Sequence, residues 1–297
     1  MEFFLEVLIG GLLSGVMYSL VALGFVLIYK ASGVFNFAQG ALVFFAALTF
    51  VGLLELGLPF WLALPATLGV MVLLGLATEK FVLRPLVNQP QITLFMATIG
   101  LSFFIEGVAQ LVWGSNVRAL DLGFQDEPIG WISESTGMNI SKFDLVAAGI
   151  AAMLVTTLAL FFSRTRIGRA LRAVADDHQA ALAVGIPLQK IWGIVWAVAG
   201  AVALVAGMLW GARNGVQFAL TFVALKALPV LILGGFESIP GAIVGGLIIG
   251  ASEKLAEVFV GPHVGGGIEG WFPYVLALAF LLVRPEGLFG EKIIRRI

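Results

Sequence analysis

Long apolar runs alternate with short charged stretches along the whole chain. The runs fall at about 3–29, 36–56, 60–80, 92–113, 145–163, 191–211, 218–235, 240–260 and 270–283. A bilayer-spanning helix needs ~20 mostly apolar residues. Inside lipid only helices or closed barrels satisfy every backbone N–H and C=O. These runs are much longer than barrel strands, so the pattern predicts an all-α polytopic integral membrane protein with eight or nine transmembrane segments. The last run is short and carries Pro273, hence the two counts. The longest polar interval, Gly114 to Phe143, reads as a loop, and no stretch suits a separate soluble domain. Residues 1–297 are therefore read as one transmembrane domain.

Composition agrees with the pattern: 60% of the 297 residues are hydrophobic and 12% charged, against about 25% charged in soluble domains. Lys and Arg set the orientation, because cytoplasmic loops carry the positive excess. With the N-terminus outside, the inner side receives Lys30, Lys80, Arg84, Arg164, Arg166, Arg169, Arg172, Lys190, Arg284, Lys292, Arg295 and Arg296. The outer side receives only Arg118, Lys142 and Arg213. Twelve against three predicts N-out and C-in, with 164–190 a cytoplasmic loop and 114–143 an extracytoplasmic one. The net charge of −1 points to no nucleic acid. The absence of cysteine excludes disulfides, thiolate metal sites and Cys nucleophiles. The two histidines, His178 and His263, lie far apart, and no metal site is expected. Met1 to Glu6 lacks a basic n-region and the apolar run continues to Tyr29, so the start reads as a retained first span.

Two spans are interrupted by Gly or Pro beside polar residues, at Phe35-Asn36-Phe37-Ala38-Gln39-Gly40 and at Leu233-Gly234-Gly235-Phe236-Glu237-Ser238-Ile239-Pro240-Gly241. Broken helices can mark a transport site, or be tight turns at the membrane surface. Asn36 and Gln39 are suited to a weak substrate contact or to a local cap. The charges within spans are few, among them Glu106, Lys226 and Glu253. Lys226 either lends positive potential to a substrate route, snorkels outward, or pairs with Glu106 or Glu253. Gly-x-x-x-Gly occurs at 11/15, 241/245 and 246/250 and reads as packing. Arg164, Arg166, Arg169 and Arg172 form a basic run whose expected contact is anionic lipid. Within 164–190, Asp176 and Asp177 stand where an N-cap would be, Gly185 supplies the stop, and Pro187 forbids continuation. One short helix is predicted there, seated in a partner's groove or joining two spans.

Gln179-Ala180-Ala181, three residues, then Gly185 is similar to the Glu-Ala-Ala-x3-Gly pattern of ABC importer permeases, with Gln179 in place of Glu. Together with Phe35 to Gly40, Arg164 to Ile186, Leu233 to Ala242 and the tail Arg284 to Gly290, the chain resembles the LivH-type permeases of branched-chain amino-acid importers. The Gln39 position of that family often carries histidine. The resemblance implies that Asp176, Asp177, Gln179, Ala180, Ala181, Leu182 and Gly185 belong to the helix on which an ATPase pushes. It implies a second permease, two ATP-binding subunits, an extracytoplasmic binding protein and a bacterial inner membrane. Substrates of that family include branched-chain amino acids, amides, urea and aromatic acids. No G-x-x-x-x-G-K-[ST] run is present, so ATP and Mg²⁺ would be used by the partner subunits, and no cofactor is expected here. The competing readings are an ion-coupled secondary transporter, for which only Glu106 and Glu253 qualify, and an intramembrane enzyme, for which no catalytic cluster is visible.

Overall fold

The computed structural model describes residues 2–87, 89–124 and 126–290, with backbone alone for His178 and Gln179. The basic residues Lys292, Arg295 and Arg296 and the side chain of Gln179 lie outside the described residues. Among these residues the architecture is all-helical, with only two isolated β-bridges. In order come α1 (Glu2–Ser32), α2 (Gln39–Glu55), α3 (Phe60–Thr78), α4 (Gln91–Trp113), α5 (Gly130–Thr136), α6 (Lys142–Arg164), α7 (Arg166–Asp176) and α8 (His178–Ala183). They are followed by α9 (Leu188–Asn214), α10 (Val223–Lys226), α11 (Leu228–Gly234), α12 (Ile239–Phe259), α13 (Gly261–Val264) and α14 (Phe272–Val283). A π-turn at Glu79–Leu83 extends α3, and a 3₁₀ turn at Phe218–Phe222 precedes α10.

Five of these stretches are long and apolar enough to cross a membrane: α1, Phe60–Leu86, α4, α6 and α9. A sixth candidate is the pair Phe218–Gly234 and α12, bent by 113° at its break, while α2 and α14 are shorter apolar helices. The run predicted at 218–235 is thus three helical pieces. Pro229 explains the last boundary, since it lacks an N–H and stands in the first turn of α11. The interval 164–190 likewise holds two helices, α7 and α8, where one was predicted.

The chain divides into two compact units. In the unit formed by 23–120 and 157–225, α2 is wrapped by α3, α4, α9 and the 3₁₀ turn. Glycine makes these approaches close. A β-carbon at Gly207 would stand 2.5 Å from Val43 O, and one at Gly75 would stand 2.7 Å from Trp196 O. With lipid no more polar than Leu, such backbone proximity and the van der Waals contact it permits drive association.

The unit formed by 1–22, 121–156 and 226–297 uses the same device. Gly11 and Gly15 of α1 face Gly250 and Gly246 of α12. A β-carbon at Gly250 would stand 2.4 Å from Gly11 O, and one at Gly15 would stand 2.5 Å from Gly246 O. The Gly-x-x-x-Gly pairs therefore join two helices of one chain. At the second broken motif Gly234 and Gly241 meet back to back. The tail then closes over it, with Leu288 and Phe289 N–H donating to Leu233 and Gly234 C=O at 2.8 and 3.2 Å. Two separate sequence motifs thus form one corner, and the tail satisfies carbonyls that the end of α11 leaves without helical partners.

Candidate functional site

Three constellations hold the residues that the sequence singles out. The first is the α7–α8 segment. Thr165 caps α7, accepting from Gly168 N at 3.2 Å, and α7 turns Gly168, Leu171 and Val174 inward. A β-carbon at Gly168 would lie 1.8 Å from Phe162 O, so this corner admits only glycine. Arg172 donates to Phe162 O at 2.8 Å, closing the C-terminal end of α6. Arg172 thus bonds orphan carbonyls of its own chain while remaining exposed, like Arg164, Arg166 and Arg169 of the same run.

Asp176 ends α7 and Asp177 caps α8, its Oδ1 accepting from Ala180 N at 3.0 Å. At the other end Gly185 adopts φ 83°. Gly185 N–H donates to Leu182 O at 3.0 Å and Ile186 N–H to Ala181 O at 2.9 Å. That bond pair, with a left-handed glycine after the helix, is a Schellman stop. Six helical residues are too few to be stable alone, and their ends supply the definition that length does not. Ala181 turns inward at 2% exposure, whereas Leu182 and Val184 are 51% and 75% exposed. Ala180 is exposed as well. The segment thus presents a small, capped, apolar knob.

The second constellation is the break between α1 and α2. Asn36 and Gln39 are each wholly buried. Asn36 Nδ2 donates to Gln39 Oε1 at 3.3 Å, and Asn36 Oδ1 accepts from Ala38 N at 3.1 Å. Thr98 of α4 completes the clasp. Its hydroxyl accepts from Phe37 N at 3.1 Å and lies 3.2 Å from Phe35 O. Gln39 Nε2 has no hydrogen-bond partner among the described residues. It is pressed against Gly24, where a β-carbon would stand 2.2 Å from it. A buried amide donor without a partner costs about 1–3 kcal/mol, so Gln39 is a strained element of this arrangement. Thr98 and Gly24 carry no signal in the sequence, being ordinary residues within apolar runs.

The third constellation joins α1, α10 and α12. Lys226 Nζ and Tyr18 OH both donate to Glu253 Oε1, at 3.2 and 3.1 Å. Glu253 is 2% exposed. Lys226 is therefore paired with one of its two candidate acids, while Glu106 accepts from Ser102 Oγ at 3.2 Å. Tyr18 was missed because a lone tyrosine in an apolar run reads as packing. Lys226 belongs to the unit with Glu253, and Asn36 and Gln39 to the other.

The loop 114–143 carries α5 between a bridge that joins Pro128 to Ser141, with Trp131 exposed and Ser141 hydrogen-bonded to Asp126.

Residues 7–283 match the family model described as branched-chain amino acid transport system / permease component. The chain is 30% identical over 306 residues to the high-affinity branched-chain amino acid transport system permease protein BraD of Pseudomonas aeruginosa, covering 99% of this chain and 98% of that one. It is 29% identical to the corresponding permease protein LivH of Escherichia coli K12, with the same two coverages. The fructose import permease protein FruG of Bifidobacterium longum is 24% identical, over 84% of this chain and 74% of that one.

Proposed function

This chain belongs to the branched-chain amino acid transport system permease family, and on that premise we propose that it is the membrane-spanning subunit of an ATP-driven importer. The cargo on this reading is a branched-chain amino acid or a related small solute such as an amide, urea or an aromatic acid. The partners are a second permease, two ATP-binding subunits and an extracytoplasmic binding protein, in a bacterial inner membrane. The chain itself is no enzyme on this reading.

The topology we propose has nine crossings, because N-out with C-in demands an odd number. Phe218–Gly234 adds up to ~28 Å from its 3₁₀ and α rises, close to the ~30 Å of a hydrocarbon core. α2 rises ~25 Å and α12 ~31 Å, while α14 rises only ~18 Å and completes the ninth crossing together with the residues on either side of it. The twelve-to-three distribution of basic residues supports this orientation.

The observation that carries the mechanism is the doubly capped α8 with Ala180, Leu182 and Val184 outward. A short helix with small side chains fits a groove and passes rigid-body motion through packed contacts. Asp177 and Gly185 set its ends and Ala181 anchors it to the rest of the chain, with Asp176 and Gln179 the remaining positions of the coupling element on this reading. Asn36, Gln39 and Lys226 provide the polar positions of the route. Because the first two are wholly buried, substrate reaches them only when the α1–α2 break rearranges. Leu182→Asp places a charge on the outward knob without disturbing α8's caps. The expected result is loss of ATPase co-purification or of ATP-dependent leucine uptake in proteoliposomes, with normal membrane insertion. Normal uptake with ATPases bound removes α8 from the coupling role. Uptake abolished by an ionophore and indifferent to ATP points to the ion-coupled reading instead.

A further inference from the structure

Both α3 and α4 pack on α2, and between them a cleft of about 430 Å³ opens on the outside of the chain. Leu74, Ala77 and Phe81 line one wall, and Ala97, Gly100 and Phe104 the other. A β-carbon at Gly100 would meet nothing within 4 Å, so the missing side chain is part of the hollow. The π-turn at Glu79–Leu83 forms the end of the cleft. Buried Glu79 fixes that turn by holding Arg84 through two bonds, at 3.1 and 2.9 Å. Lys80, exposed, projects its ammonium 5.4 Å from the centroid of the Phe81 ring, at the mouth.

Depth, lining and charge decide what fits. From Phe60 to Lys80 the helix rises ~30 Å, the thickness of the hydrocarbon core. With exposed Trp61 at one interface, Lys80 stands at headgroup level on the other. The cleft runs inward from there for ~10 Å, the rise from Phe81 to Leu74. Apart from Thr78 its lining is wholly apolar, which suits an alkyl chain. With Arg84 neutralised by Glu79, the mouth retains the charge of Lys80, which selects an anion at headgroup depth.

We propose that this cleft is a lipid site that seats one acyl chain of an anionic phospholipid, with the phosphate at Lys80. The site rests on the reading that Phe60–Leu86 crosses a bilayer, and its test does not require transport. The full chain, purified in detergent, is given phosphatidylglycerol or phosphatidylcholine of equal acyl length, and retained lipid is counted by native mass spectrometry. Phosphatidylglycerol is expected to be retained preferentially. Gly100→Leu fills the hollow and should lose that lipid. Gly107→Leu, on the same helix and also in open space, should keep it. Lys80→Gln should lower the preference for phosphatidylglycerol about five-fold. Equal retention by the two leucine variants overturns the site, as does an unchanged preference in Lys80→Gln. The proposal also falls if Gly100→Leu displaces a second permease chain and leaves the lipid count intact.

Discussion

Lys226 and Glu253 are each untenable alone in a hydrocarbon core, which is why their pairing has a measurable consequence. Removing one member of a buried pair leaves an uncompensated charge, whereas replacing both with apolar groups is often neutral. Glu253 is the deeply buried partner, and Lys226 is about a third exposed. The single substitution Lys226→Met should therefore destabilise the chain by roughly 3 kcal/mol, the low end for buried pairs. The double variant Lys226→Met with Glu253→Leu should recover most of that loss. Tyr18 would then lose its acceptor, so recovery stays incomplete. Thermal melting in detergent reads both values. A double variant no more stable than the single one would mean that Glu253 is not stranded by loss of Lys226. Transport by the double variant separates the two roles of the lysine: recovery of stability without transport keeps Lys226 on the substrate route, and recovery of both makes it structural.

Helices in this chain are joined by what their sequences omit. Gly250 meets Gly11 and Gly15 so closely that a methyl would stand 2.4 Å from a carbonyl oxygen and 2.5 Å from a neighbouring Cα. Gly10, one position along α1, meets nothing within 4 Å. Gly250→Ala should force α1 and α12 apart and lower membrane accumulation several-fold, while Gly10→Ala should be tolerated. Comparable levels of the two would remove the close crossing as a determinant of folding. Such contacts also explain what was legible beforehand. The long apolar runs showed α1, α3, α4, α6 and α9, because a span is a local property of composition. Asp177, Gly185 and Pro187 revealed both ends of α8, because caps too are local. The amphipathic α7, charged on one side, was hidden within a polar interval. Partners such as Tyr18, Thr98 and Gly24 escaped for a different reason. Each acts on a residue far along the chain, and nothing in its own neighbourhood marks it. The tail's bonds to Leu233 and Gly234 are of that kind, although each end is a motif in its own right.

Orientation is a property of the whole molecule, and the charge distribution makes it testable in a chain without cysteine. The proposed frame puts α5 outside and α8 inside. Glu134 and Val184 are both exposed, so a single cysteine at either position is reachable without disturbing a buried contact. An impermeant maleimide applied to sealed cells should label Glu134→Cys and spare Val184→Cys. In cells that express this chain without ATP-binding subunits, both should react after permeabilisation, which shows that protection came from the bilayer and not from burial. Labelling of Val184→Cys in sealed cells would put α8 outside and separate it from any ATPase, ending the coupling proposal together with the orientation. Protection of both positions would require an even number of crossings between residues 134 and 184. α6 would then have to leave the bilayer on the side where it enters, although its 23 residues rise ~35 Å and are long enough to cross. The same labelling therefore measures the parity of the α6 crossing, on which the nine-crossing count depends.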